Sequence, residues 1–144
     1  MTSVDPWYAC HVRAFEQEKG PSWQVKRLIG EGASAAVLHV TQGEHDYALK
    51  LYRPEFCRGE NAPVEQRRLR LQNTLRDHDC PTLVGIHEVG ELEGSAFILM
   101  ELVDWPSMDT VLGAIPRTEI QALVRDVASA AKWLHDRGLV HRDI

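Results

Sequence analysis

The sequence predicts an α+β fold: a five-stranded antiparallel sheet with one long helix, followed by the first helices of a second, helical part. Three observations carry this. Apolar and polar residues alternate in "WQVKRLIGEG" and "DYALKLY", and further strand-like runs bounded by turn residues follow in "TLVGIHEVGE" and "SAFILMELV". Helical spacing interrupts that alternation over 61–75. After Trp105-Pro106 the strand pattern ceases and only helical spacing is left.

Taken in order, residues 1–22 mix charge with aromatics and close at Gly20-Pro21, a turn signal, so a short helix in a separate N-terminal extension is expected. "WQVKRLIGEG", "AAVLHV" and "DYALKLY" then read as three strands of a meander, the last two joined through the turn-like "TQGEHD". In the next segment Asn61 is placed to cap a helix, Pro63 sits acceptably in its first turn, and Val64, Leu71 and Leu75 share one face. Pro81 ends that segment. "TLVGIHEVGE" and "SAFILMELV" follow as two strands around a short turn at "LEG". "SMDTVLG" predicts a short helix. A long one covers 118–137, with Thr118 as its cap, Ile120, Leu123, Val124, Val127, Ala131 and Leu134 in a stripe, and Gly138 as its stop.

Bulk properties narrow the function. With 44% hydrophobic and 26% charged residues, the 144-residue chain has the composition of a folded globular domain, or part of a larger one. A net charge of -5 offers no cationic field for nucleic acid or an acidic membrane surface, and no apolar run reaches membrane-spanning length. Cys10, Cys57 and Cys80 are odd in number and form no C-x-x-C pair, which points to a reducing compartment and a cytoplasmic protein. His135 and His141 lack the i, i+4 spacing of a helical zinc site, so no metal ligands are assigned.

Four short stretches carry chemistry. "IGEGASAAV", residues 29–37, puts Gly30 and Gly32 where backbone N–H groups could meet phosphate oxygens, although a hairpin turn uses the same residues. Lys50 shares a strand face with Ala48; it suits either an inward cation or the solvent side of an edge strand. "ILMELV", 98–103, reads as a buried strand. "VHRDI", 140–144, offers either a general base or a loop salt bridge.

In that order and context, from about Trp23 to Ile144, these stretches resemble the eukaryotic-like (Hanks-type) serine/threonine protein kinase family, most specifically through "LHDRGLVHRDI". The resemblance implies a kinase N-lobe with hinge over 23–103 and the start of a C-lobe over 104–144, ATP and Mg2+ as cofactors, and a protein substrate. It implies that Gly30 and Gly32 cover the phosphates and that Lys50 holds the α and β phosphates. Ile29, Val37 and Ala48 would wall the adenine, with Met100 as gatekeeper and the Glu101-Leu102-Val103 backbone as hinge. His141, Arg142 and Asp143 would form the catalytic-loop triplet, Asp143 accepting the proton of the attacking hydroxyl.

Three departures stand beside the match. Ala35 replaces the third glycine. The ion-pair partner of Lys50 is absent from its usual spacing, where Arg70 or Leu71 falls, leaving Glu65 as the nearest acid. The metal-binding asparagine and DFG aspartate of the family are not among these residues, so a chain of this extent is expected to be inactive alone, or to be a pseudokinase or split-kinase binding module. The stripe on 118–137 is worth roughly 25 cal/mol per Å² once buried, so a dimer or a partner protein is its expected cover.

Overall fold

The computed structural model describes residues 6–141, and these form two compact units. The first takes the chain up to His78 together with Gly85–Leu102; the second takes Asp79–Val84 and the chain from Val103 on.

In the first unit α1 (Ala9–Lys19) precedes β1 (Trp23–Glu31), β2 (Ala35–Gln42) and β3 (His45–Tyr52); α2 (Pro54–Cys57) and α3 (Ala62–Thr74) follow, then β4 (Ile86–Leu92) and β5 (Ser95–Glu101). The strands make one five-stranded sheet in the order β1-β2-β3-β5-β4, with every pairing antiparallel. The predicted α+β architecture is therefore observed. The turn at "LEG" is tight because Glu93 and Gly94 both adopt positive φ, 49° and 73°, as a two-residue hairpin of matching twist requires.

Alternation sorts the sheet into two faces. One carries Leu38, Val40, Leu49, Leu51, Phe97 and Leu99, all nearly inaccessible to solvent. The helix α1 covers this face: Phe15, fully buried, meets Phe97 and Trp23 edge to face at centroid distances of 6.1 and 5.6 Å. Glu16 accepts the Val25 N–H at 3.0 Å, and Lys19 pairs with Glu88 at 2.5 Å, so α1 is tied to β1 and β4 at once. Helix α1, which falls within the expected N-terminal extension, thus supplies part of the core through Phe15.

Helix α3 departs from the expected orientation. Val64 and Leu71 are 54% and 41% exposed, whereas Glu65, Leu69 and Gln72, at spacings of four and three, turn inward. Leu69 and Glu65 line a small cleft with Cys57, Gly94 and Ala96, and that contact outweighs the more hydrophobic Val64/Leu71 edge. Asn61 lies in a 3-10 turn, Gly59–Asn61, immediately ahead of the helix.

The second unit holds α4 (Met108–Val111) and α5 (Arg117–His135). Pro116, not Thr118, occupies the cap position of α5, because its fixed φ of -58° already matches a helix start. Gly138 ends the helix at φ 72°: its N–H reaches the His135 carbonyl at 2.9 Å and the Leu139 N–H reaches that of Leu134 at 3.0 Å, a Schellman closure that satisfies two orphan carbonyls. Segment 79–84 is held to α5 through Asp79, which accepts the Trp133 indole N–H at 3.1 Å, while the Arg137 guanidinium stacks on that indole. Among the described residues no helix is long and apolar enough to cross a membrane.

Candidate functional site

Register brings four of the expected residues onto one surface. Val37 of β2 stands opposite Lys50 of β3, which stands opposite Ile98 of β5; one row along, His39 faces Ala48, which faces Met100. Because strand side chains alternate, both rows project from the face opposite the α1-covered core. Ala48 is buried; Val37, Lys50 and Met100 are half-buried. A small residue flanked by partly open ones leaves a shallow floor there.

The β1–β2 turn forms the rim of that floor. Register slips between Leu28 and Gly30, leaving Ile29 unpaired and 40% exposed, and pairing resumes at Gly30 with Val37 and Glu31 with Ala36. The Gly32 N–H donates to the Ala35 carbonyl at 2.9 Å. Neither Gly30 nor Gly32 has a positive φ, so the backbone itself does not demand glycine there. A Cβ on Gly30 would meet nothing within 4 Å, and one on Gly32 only the Ala35 oxygen at 4.0 Å. The missing side chains leave open space beside exposed backbone, which suits close approach by a ligand. Ala35 is 7% exposed and paired with Tyr52, so its methyl fills the strand junction instead of obstructing the rim.

Lys50 and Glu65 are not brought together. The Lys50 ammonium sits 5.0 Å from the ring centroid of Tyr52, two residues along the same face, while the Glu65 carboxylate accepts from Arg68 at 2.9 Å. Glu65 lies in the first turn of α3, where Arg68 is within one turn. Glu101 is anchored twice: its N–H donates to the Gly85 carbonyl at 2.8 Å, and its carboxylate accepts the Gly85 N–H at 3.1 Å. Val103 belongs to the second unit and is 50% exposed. There, exposed His141 lines an apolar groove of about 260 Å³ with Leu83, Leu123, Val127 and Leu134. Arg142 and Asp143 lie outside the described residues.

Sequence reasoning gave the Trp7 and Arg53 side chains no role and read Glu31 only as the residue between the two glycines. The structure joins them: the Trp7 indole N–H and the Arg53 guanidinium both donate to Oε1 of Glu31, each at 2.7 Å. The Lys132 ammonium bonded to Asp136 at the end of α5 holds that carboxyl below the usual aspartate range. Among the described residues no group of three His, Cys, Asp or Glu is arranged to hold a metal.

A family model described as "Protein kinase domain" matches residues 23–144. The serine/threonine-protein kinase PknD of Mycobacterium tuberculosis (strain CDC 1551 / Oshkosh) is 32% identical over 130 residues, which cover 87% of this chain and 19% of PknD. PknH of Mycobacterium bovis, also a serine/threonine-protein kinase, is 33% identical over 131 residues, 87% of this chain and 21% of PknH. The crystal structure of the M. tuberculosis PknI kinase domain matches with a TM-score of 0.71 at 27% identity, over 85% of this chain and 51% of that one. The chain thus spans about a fifth of these curated relatives and about half of the solved kinase domain.

Proposed function

Because the chain belongs to the protein kinase family, we propose that it forms the nucleotide-binding lobe and the approach to the catalytic loop of an ATP-dependent serine/threonine protein kinase. ATP supplies the phosphoryl group for such a reaction, with Mg2+ offsetting charge on its phosphates. Lys50 neutralises the α and β phosphates, and the open backbone at Gly30 and Gly32 lies over them. Ile29, Val37, Ala48 and Met100 enclose the adenine, whose polar edge meets the main chain of Glu101 and Val103. Asp143 accepts the substrate hydroxyl proton, with His141 and Arg142 organising its loop. The magnesium ligands are assigned to no residue of this chain.

The observation that carries the reading is the common face of Val37, Ala48, Lys50 and Met100 beside two glycines whose Cβ positions are vacant. Titration with a fluorescent ATP analogue tests it. Replacing a charge-assisted contact, Lys50→Met is expected to weaken binding about 10- to 100-fold; equal affinity in the two proteins would remove the assignment.

A polypeptide of these 144 residues is expected to transfer no phosphate by itself. Phosphorylation of any protein from Mg-ATP, abolished in Asp143→Ala, would show otherwise. The exposed stripe of α5, with Val124 61% and Val127 39% accessible, is assigned to a second copy or a partner protein.

A second reading, a nucleotide- or partner-binding module without catalysis, draws on the contacts of Lys50 with Tyr52 and of Glu65 with Arg68. In the full-length gene product, ATP affinity with and without magnesium separates the two, since only the catalytic arrangement requires the ion.

A further inference from the structure

Trp7 lies outside residues 23–144, yet it touches the glycine-bearing turn. Its indole N–H donates to Glu31, the residue between Gly30 and Gly32, at 2.7 Å. Arg53, just past β3, donates to the same carboxylate oxygen at 2.7 Å and lays its guanidinium 4.8 Å from the centre of the Trp7 ring. The Arg53 backbone N–H also binds the Ser34 carbonyl at 2.8 Å. Both ends of the turn are therefore held, at Glu31 and at Ser34, by one arginine, and Trp7 closes over the pair. Trp7 in turn is fixed because only Tyr8 separates it from α1, which Phe15 seats in the core and which Glu16 and Lys19 tie to β1 and β4.

We infer that Trp7 is a positioning residue: it and α1 form an N-terminal latch that sets the height of the β1–β2 turn over the sheet through Glu31 and Arg53. An exposed turn flanked by glycines has little internal rigidity. A side chain brought from outside the sheet supplies it, and release of the segment ahead of α1 would loosen the turn. The consequence for nucleotide affinity rests on the proposed function; the latch itself does not.

The test uses the whole chain. Trp7→Phe keeps a ring for Arg53 to stack on and removes only the donor; Glu31→Gln keeps an acceptor and removes the charge. Hydrogen exchange at the amides of Gly30–Val37 is expected to quicken about five-fold, the change that follows loss of one ordinary hydrogen bond, while α1 and β5 amides keep their rates. The double variant should quicken exchange by less than the product of the two single changes, because both weaken the one Trp7–Glu31 contact. Binding of a fluorescent ATP analogue should weaken by a similar factor. Unchanged exchange at 30–37 in both variants, or acceleration spread equally over α1, overturns the latch. Quickened exchange in a chain whose unsubstituted form binds no ATP analogue upholds the latch and removes the nucleotide reading instead.

Discussion

Lys50 stacks on Tyr52, its neighbour on the same face of β3, with the ammonium 5.0 Å from the ring centroid. An aromatic face attracts a cation by about 0.5–1 kcal/mol at such a partly open site. A phosphate or carboxylate partner attracts it more strongly, so the ammonium is available to an anionic ligand. Tyr52→Leu is expected to leave nucleotide affinity within about three-fold, in contrast to Lys50→Met. Parallel titrations of the two variants check this, and equal losses would make Tyr52 part of the site.

Glu65 is expected to contribute little through Arg68. The pair is an i, i+3 contact in which Arg68 is 66% exposed, worth about 0.3–0.5 kcal/mol. Arg68→Ala should therefore shift the urea midpoint marginally. A loss above about 1 kcal/mol would mean that Glu65 needs this partner to remain in its cleft.

Phe15 is where the N-terminal helix proves integral. Phe15→Ala empties a fully buried site against Phe97 and Trp23 and should destabilise the chain by about 3–5 kcal/mol. Trp105→Ala, at a site 83% exposed, should stay within about 0.5 kcal/mol. Similar values for both by chemical denaturation would place α1 outside the cooperative core.

Two kinds of glycine should separate cleanly. A Cβ on Gly90 would stand 2.6 Å from the buried Phe97 ring, so Gly90→Ala is expected to lose about 1–3 kcal/mol of stability. Gly30→Ala meets open space and a permitted backbone, so stability should hold while nucleotide affinity falls. Thermal melting with a binding titration distinguishes them.

Asp136 titrates low because Lys132 bonds its carboxylate at 2.6 Å, with Arg137 and His135 adding to the attraction. A carboxyl held lower in the folded state stabilises above its unfolded value, and that contribution is lost as pH falls through the folded value. The site is fully exposed, so the readout is local: carboxyl chemical shifts should show Asp136 titrating at lower pH than in Lys132→Ala. Coincident curves would remove the assigned cause.

Local rules determined much of this protein. Period-two alternation in "AAVLHV" and "YALKLY" already placed Val37, Ala48 and Lys50 on faces that need only correct register to meet, and Gly138 marked the end of α5 because a left-handed residue is required there. Such signals lie within a few residues of chain. Tertiary structure alone decided that Phe15 enters the sheet core, that Glu65 and Leu69 rather than Val64 and Leu71 face inward, and that Trp7 reaches Glu31 across 24 positions. Those outcomes depend on which surfaces meet after the sheet has formed, when burial and competing partners choose among faces that residue order leaves nearly equal.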